Sequence, residues 1–307
     1  MFATGAGRAQ DLPPLIGMLT PPSAVNFDAF RRGLGEAGLT EGRDFRIERR
    51  GVEGLPERLP ALARELVAMR PRVIVAGSVS GIGAVVEATR EIPIVFVGGQ
   101  NALPRGVVQS VARPGGTVTG FSLGADPRLI GKRLEILKDL VPSARRVAAI
   151  YSANEASEVE AIAHLHDAAP LLGLAVENFT VRDARDYASA FAAAARTADA
   201  FYVGQDTLTF ANRAEIARLA AATRLPAIYG FRDFVEVGGL MSYGVVLADL
   251  YRRAAGYAAR ILRGERPAEM PVQLPIKFEL VVNLVTAKAI GLALPQAIVV
   301  RADEVIE

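Results

Sequence analysis

The side chains that could bind a ligand follow strand-like segments, at points where a strand turns into a helix. Ser78 and Ser80 come shortly after the apolar run 73–76, and Asp206 comes shortly after 200–203. The first N–H groups of a helix have no intrahelical partner, so the turn that contains Ser78 and Ser80 could hold the carboxylate of a ligand. The side chain of Asp206 could bind an ammonium group. Ser80 and Asp206 could equally well cap the helices that follow them. The sequence leaves both interpretations open.

Other polar and aromatic residues occupy similar positions at strand ends. The polar ones are Ser23, Gln100 and Asn154, and the aromatic ones are Phe210, Tyr229, Phe231 and Tyr243. In open α/β sheets, ligands bind beyond the carboxyl ends of the strands. We therefore expect these residues to be candidates for one ligand site, although aromatic side chains more often belong to a core.

The sequence offers little for catalysis. It has no cysteine, which excludes a thiol nucleophile, and neither GxxxxGK[ST] nor HExxH occurs. The two histidines, His164 and His166, lie two positions apart in a predicted helix and point in different directions. We expect a protein that is not an enzyme and that uses no cofactor and no metal.

Composition limits the partners. The net charge is +2 over 307 residues, and basic residues are interspersed with acidic ones, which argues against a nucleic-acid surface. No apolar run approaches the roughly 18 residues that a membrane span needs. The apolar fraction of 51% and the length are sufficient for two domains with cores of their own.

The pattern of strands and helices in the first half returns in the second half. Segments 15–19, 73–76 and 94–97 correspond to 147–151, 200–203 and 226–229. Strands that alternate with helices predict parallel sheets with right-handed crossovers. The fold class is therefore α/β with two lobes, each a parallel sheet flanked by helices, and a ligand cleft between them.

The segment 113–122, RPGGTVTGFS, is predicted to begin the first of three hinge crossings. Gly120, Phe121 and Gly239 are the predicted hinge residues. Lobe 1 is expected to comprise residues 12–119 and 240–268, and lobe 2 residues 120–239 and 269–307. Residues 1–11 are expected to be disordered or the remnant of an export signal.

Four separated motifs resemble the ABC-transporter substrate-binding proteins of the tryptophan/tyrosine type. They are RPGGTVTGFS, GKRLEILKDLVPSARRVA at 131–148, PAIYGFRDFVEVGGLMSYG at 226–244 and KFELVVNLVTAKAIGL followed by RADEVIE at the end. The resemblance implies a type I periplasmic-binding-protein fold, the Venus flytrap architecture. It also implies a periplasmic location after removal of a signal peptide, and delivery of a small solute to a membrane permease.

Amino acids, including aromatic ones, are the ligand class that the resemblance implies. We expect a monomer whose lobes close when an amino acid bridges Ser78 or Ser80 to Asp206. A ligand-sensing domain of the same fold, for a regulator or receptor, is the main alternative. A cleft enzyme such as a nucleotide-sugar transferase would share the two-lobed layout, but it would need catalytic acids that the sequence does not indicate.

Overall fold

The computed structural model describes residues 12–19, 24–51, 55–99, 107–123 and 127–307. The candidate residues Ser23 and Gln100, together with segment 1–11, lie outside the described residues.

The first half of the chain forms a five-stranded parallel sheet. Its elements are β1 Leu15–Leu19, α1 Ala24–Glu36, β2 Arg46–Arg50, α2 Leu59–Ala68, β3 Val73–Gly77, α3 Val79–Ala88, β4 Ile94–Val97 and β5 Val118–Phe121, with a 3-10 turn at Pro56–Arg58. The strand order is β2-β1-β3-β4-β5. Strands β1, β3 and β4 are buried along their whole length because helices cover both faces of the sheet.

The second half forms a seven-stranded sheet. Its strands are β6 Arg146–Ser152, β7 Ala175–Val181, β8 Ala200–Val203, β9 Ala227–Tyr229, β10 Met241–Val245, β11 Phe278–Asn283 and β12 Glu304–Ile306. The helices along this part of the chain are α4 Pro127–Leu140, α5 Ala156–Ala168, α6 Asp186–Ala194, α7 Thr207–Ala211, α8 Arg213–Ala222, α9 Arg232–Glu236, α10 Leu247–Leu262, α11 Leu284–Ala289 and α12 Gln296–Arg301, with 3-10 turns at Ala169–Leu172 and Pro267–Glu269. The order is β12-β11-β10-β9-β8-β6-β7, and β10 and β11 pair antiparallel.

The internal repeat predicted from the sequence is present in the topology. The order β7-β6-β8-β9-β10 repeats the order β2-β1-β3-β4-β5, and the second sheet then adds β11 and β12. The predicted two-lobed α/β fold with parallel sheets is confirmed.

Each half of the chain gives a helix to the other half. Helix α4 follows β5 but packs on α5 and β10, whereas α10 follows β10 but packs on α1, β3 and β4. We call the five-stranded sheet with α1, α2, α3 and α10 the first lobe, and the seven-stranded sheet with the remaining helices the second lobe.

The second crossing between the lobes differs from the predicted boundary at residue 240. Strand β10 pairs with β9 and β11 in the second sheet, so the chain crosses at Val246, after the strand rather than before it. The residues of an apolar strand do not indicate which sheet the strand joins. The sequence analysis therefore assigned β10 to the wrong lobe. Met270 and Val272 still pack in first-lobe cores, so the third crossing follows them.

Hydrogen bonds tie the first and third crossings together. Ser122 N donates to Gln273 O at 2.9 Å, and Gln273 N donates to Gly120 O at 2.9 Å. Gly120 has φ of 153°, and a Cβ there would lie 2.2 Å from Phe96 O, so this hinge strand position accepts no side chain. Phe121, the other predicted hinge residue of β5, stacks at a tilt on Tyr257 with ring centroids 4.8 Å apart.

Gly239 does not lie at a crossing. It precedes β10, and its N–H donates to Phe234 O at 2.8 Å within the second lobe. The glycine pair at 238–239 instead ends α9, since Gly238 N also donates to Val235 O at 3.1 Å.

Candidate ligand-binding cleft

A cavity lies between the two lobes at the carboxyl ends of the parallel strands. The empty space within it is about 620 Å³, a figure that includes space open to solvent. The first lobe and the hinge line it with Asn26, Ser78, Val79, Val97, Gly98, Gly99, Leu123, Leu247 and Tyr251, and the second lobe lines it with Glu155, Gln205, Asp206, Thr207, Phe210 and Phe231. We call this space the cleft cavity.

Ser78, and not Ser80 as the sequence suggested, is the N-cap of α3, and it lies in the wall of the cleft cavity. Its Oγ accepts a hydrogen bond from Gly81 N at 3.1 Å. Its backbone has φ of 62° and ψ of 159°, a region that is nearly confined to glycine and costs about 1–3 kcal/mol for other residues. The turn therefore stores strain at the wall of a cavity, next to helix N–H groups that have no partner within the helix.

Asp206 occupies the corresponding turn of the second lobe, where it is a structural cap. Its Oδ1 accepts from Thr209 N at 2.8 Å, and its Oδ2 accepts from Ser152 N at 2.9 Å and from the Thr209 hydroxyl. The side chain is buried, and that burial raises its pKa in spite of these bonds. All three donors come from its own lobe, so the N-cap interpretation of Asp206 is the one that the geometry favours.

Glu155, which the sequence analysis did not select, lies in the cleft wall in front of Asp206. Its Oε1 accepts from Ser80 Oγ at 2.8 Å and from Thr207 N at 3.2 Å. Ser80 belongs to the first lobe and Thr207 to the second, so this carboxylate connects the two lobes directly. Burial raises the pKa of Glu155, and the neighbouring charge of Asp206 raises it further.

Glu158 is a third carboxyl group, one helical turn beyond Glu155 and fully buried behind the cleft. Burial, followed by the charge of Asp206, raises the pKa of Glu158 to about 8. A Cβ on Gly204 would lie 2.6 Å from Glu158 Oε1, so the glycine makes room for this carboxyl group. At neutral pH, Glu158 is therefore mostly protonated and uncharged.

Aromatic rings form the apolar side of the cleft cavity. Phe210 and Phe231 meet edge to face with centroids 5.7 Å apart, and Arg213 lies over the Phe210 ring at 5.0 Å. Tyr251 of α10 lines the cavity from the first lobe, and burial raises the pKa of its hydroxyl. A flat apolar group entering the cavity would meet aromatic surface from both lobes.

Several predicted site residues do not line the cleft cavity. Tyr229 is buried and stacks on Phe234 at 4.7 Å, and Tyr243 packs against the second lobe's core. Asn154 and Ser80 line a separate opening, the outer groove, with Leu55, Glu57, Ser152, Glu155, Arg182, Asp183, Ala184, Arg185, Asp206, Thr207 and Leu208. Of the predicted ligand residues that the structure describes, it brings Ser78, Asp206, Phe210 and Phe231 to the cavity.

Glu155 could have been selected from its position in the sequence, whereas Asn26 and Tyr251 had little to mark them. Glu155 stands in the polar loop after β6, at the same edge of the sheet as the predicted residues. Asn26 and Tyr251 lie within amphipathic helices, where their positions looked like ordinary helix surface.

Two short segments match the spacing of enzyme signatures but have a different context. The GFSLG segment beginning at Gly120 has the spacing GxSxG, yet the buried Ser122 Oγ donates to Gly99 O at 3.1 Å in the hinge. The GLGEAG segment beginning at Gly33 has the spacing GxGxxG, but it lies at the end of α1 rather than at the start of a helix. Neither has the strand-turn-helix setting that its signature requires.

None of the helices in the described ranges is long and apolar enough to cross a membrane. Within those same ranges, no group of three or more histidine and acidic side chains is arranged to hold a metal ion.

Comparisons with known proteins agree with the fold and the cleft. The model of the family "ABC transporter substrate binding protein" matches residues 20–306. A tyrosine-binding protein of Clostridioides difficile strain R20291 is 26% identical over 263 residues, 86% of this chain and 75% of that protein.

Two solved structures share the architecture over 95% of this chain. A conserved domain protein from Vibrio cholerae O1 biovar El Tor is 26% identical with a TM-score of 0.85, and 99% of it is covered. An ABC domain in complex with L-Trp from Streptococcus pneumoniae is 22% identical with a TM-score of 0.82, and 100% of it is covered. Because the family model covers nearly the whole chain, this protein belongs to the family of ABC transporter substrate-binding proteins, which bind solutes and are not enzymes.

Proposed function

We propose that this protein binds an α-amino acid with an aromatic or large apolar side chain in the cleft cavity. It then presents that amino acid to the membrane permease of an ABC importer, outside the cytoplasm. The observation that carries the proposal is one cavity with a helix N-terminus on one lobe, carboxylates on the other and aromatic rings along a side. These three features correspond to the three parts of such an amino acid.

The carboxylate of the ligand fits the first-lobe wall. Helix α3 begins at Val79, and the partial positive charge at the start of a helix attracts an anion. Gly98 and Gly99, with φ of 137° and 76°, follow β4 and line the same wall without side chains. Their small size lets a ligand approach the backbone closely.

The ammonium group of the ligand fits the second-lobe wall. Glu155 and Asp206 line that wall, and the Gln205 side chain lies beside them. An ammonium ion presents three donors and balances the charge of a buried carboxylate.

The side chain of the ligand fits the aromatic wall. Phe210, Phe231 and Tyr251 come from different elements and both lobes. The relatives support this class, since one is named a tyrosine-binding protein and another was solved in complex with L-Trp.

A thermal-unfolding screen tests the ligand class. The purified protein is denatured and refolded once to remove carried-over ligand, and is then heated with each of the twenty amino acids. A ligand at 100 times its Kd adds about 2.7 kcal/mol to the free energy of unfolding, so we expect a shift of several degrees with L-tryptophan, L-tyrosine or L-phenylalanine.

Matched analogues sharpen the screen. Tryptamine lacks the carboxylate, and indole-3-propionate lacks the ammonium group, so both should shift the melting temperature much less than L-tryptophan. The ligand assignment is wrong if no amino acid shifts the melting temperature while another class of solute does.

Delivery to a permease is tested separately by transport. We expect the protein to support uptake of the radiolabelled amino acid into proteoliposomes that contain its permease and ATPase. Protein that binds the amino acid tightly but supports no uptake with its transporter would favour a sensor role over import.

A further inference from the structure

The two lobes touch each other directly beside the cleft cavity, through one carboxylate. Ser80 Oγ of α3 donates to Glu155 Oε1 at 2.8 Å, and Thr207 N donates to the same oxygen at 3.2 Å. The Thr207 hydroxyl lies 3.5 Å from Ser80 Oγ and completes the group. We call Ser80, Glu155 and Thr207 the cross-cleft bridge. It joins residues of both lobes by direct hydrogen bonds.

The bridge separates two spaces. Glu155, Asp206 and Thr207 line the cleft cavity and also the outer groove, whereas Ser80 lines the outer groove. The outer groove also carries Arg182, Arg185 and Asn154 and is open to solvent. The carboxylate of Glu155 is therefore placed between the ligand space and the exterior.

The carboxylate of Glu155 can accept a hydrogen bond from a further donor more readily than the carboxylate of Asp206 can. A carboxylate has two oxygens with about four acceptor sites, and both bonds of the bridge fall on Oε1 of Glu155. Asp206 uses both of its oxygens for three donors of its own lobe. Of these two carboxylates in the cavity wall, Glu155 is the better partner for a ligand cation.

Recognition of charge and closure of the cleft are coupled through the protonation of Glu155. Burial and the charge of Asp206 favour the neutral form of Glu155 and raise its pKa, while the bonds from Ser80 and Thr207 favour the ionised form. A ligand ammonium group beside Glu155 would hold it ionised. Hydrogen bonds to an ionised acceptor are roughly twice as strong as those between neutral groups, so the Ser80 bond would strengthen at the same time.

We propose that Glu155 accepts the ammonium group of the ligand and the Ser80 hydroxyl of the opposite lobe together, so that recognition of a positive charge closes the cleft. This inference rests on the proposed binding of an amino acid. A ligand shifts a conformational equilibrium only by its differential affinity for the two states. The ammonium group has such a difference, because only in the closed form does Glu155 also receive Ser80.

The test measures binding and closure in the full chain. L-tryptophan and its analogue without the ammonium group, indole-3-propionate, are titrated by calorimetry into the wild type, Glu155→Gln, Ser80→Ala and the double variant. Spin labels on one exposed residue of each lobe report the interlobe distance. Glu160→Gln, on the exposed face of the same helix, is the matched control.

We expect Glu155→Gln to weaken binding of L-tryptophan at least tenfold and to leave binding of indole-3-propionate within twofold. The glutamine carbonyl can still accept from Ser80, so this variant isolates the charge. Ser80→Ala should weaken L-tryptophan binding several-fold and broaden the interlobe distances. The losses in the double variant should be smaller than the sum of the single losses, because both act through one carboxylate.

The outcomes separate the two proposals. Wild-type protein that binds L-tryptophan, with Glu155→Gln binding it equally well, overturns the role of Glu155 and leaves the proposed function standing. Wild-type protein that binds no amino acid overturns both. If Glu155→Gln fails to fold, the comparison of the two ligands on wild-type protein is the test. Equal affinity and equal closure with L-tryptophan and indole-3-propionate would overturn the inference.

Discussion

The turns at Ser78 and Asp206 occupy the same place in the two lobes and are built for different purposes. Both follow a buried strand and cap the next helix. Ser78 makes one cap bond in a strained backbone, with φ of 62°, and lines the cleft. Asp206 makes three bonds in an unstrained extended backbone, with φ of −79°, and is only 1% exposed. The first turn carries backbone strain beside the cavity, whereas the second is fully hydrogen-bonded within its own lobe.

The difference between the two turns shows that equivalent positions of a repeated fold can have different structural roles. The second lobe fixes its turn with Asp206 and places Glu155 in front of it as the group that faces the cavity. The first lobe instead leaves its helix N-terminus at the cavity wall. Repetition of strands and helices therefore predicts where a site lies, but not which lobe supplies which charge.

The largest effect is expected for Asp206→Ala. The change removes the cap of α7 and leaves the buried N–H groups of Ser152 and Thr209 without acceptors. We expect the free energy of unfolding to fall by about 4 kcal/mol, from the lost cap bond at Thr209 N and the lost acceptor of two further buried donors, Ser152 N and the Thr209 hydroxyl. Urea denaturation at pH 7 measures it. Normal stability together with a lost affinity for L-tryptophan would mean that Asp206 is a ligand residue after all.

An intermediate effect is expected for Glu158→Gln, and it depends on pH. The folded protein holds a proton on Glu158 up to about pH 8, whereas the unfolded chain releases it near pH 4.5. Stability conferred by this proton is complete below about pH 4.5 and is lost as the pH rises towards 8. The variant should lack that loss and should be more stable than the wild type by about 3 kcal/mol at pH 7.

Denaturation curves at several pH values between 5 and 9 check this prediction. Glu155 and Asp206 also have raised pKa values and remain in the variant. The free energy of unfolding of the variant should therefore still fall with rising pH, but less steeply than that of the wild type. Parallel curves for the two proteins would show that Glu158 does not hold the proton.

The smallest effect is expected for Ser78→Gly. Glycine adopts φ of 62° without strain, and glycine at an N-cap costs only a few tenths of a kcal/mol. We expect a gain of about 1 kcal/mol in the free energy of unfolding. The matched variant Ser78→Ala keeps the strain, loses the cap and should cost about 1 kcal/mol. Equal destabilisation by glycine and alanine would contradict the strain at this turn.

The sequence predicted the fold better than the site. Strands Leu15–Leu19 and Ile94–Val97 have the predicted bounds, because apolar runs and glycine or proline breaks are local signals. The lobe that receives β10 depends on pairing with β9 and β11, which no local pattern encodes.

The site residues depended on contacts between distant parts of the chain. Asp206 is held in place partly by a hydrogen bond from Ser152 N, 54 positions away, and Glu155 accepts one from Ser80, 75 positions away. Tyr229 and Tyr243 looked like ligand contacts because they end strands. Stacking on Phe234 and packing in the second core account for them instead.

The exchange of α4 and α10 between the lobes has a consequence for synthesis of the protein on the ribosome. The first sheet is complete once β5 has been made, but α10, with Leu250, Ala254 and Ala258, covers one face of that sheet. Gly33 of α1 approaches Arg252 O so closely that a Cβ there would lie 2.2 Å away. The emerging first lobe thus keeps an uncovered apolar face until about residue 262 has left the ribosome exit tunnel. Neither half of the gene should encode a fragment that folds on its own.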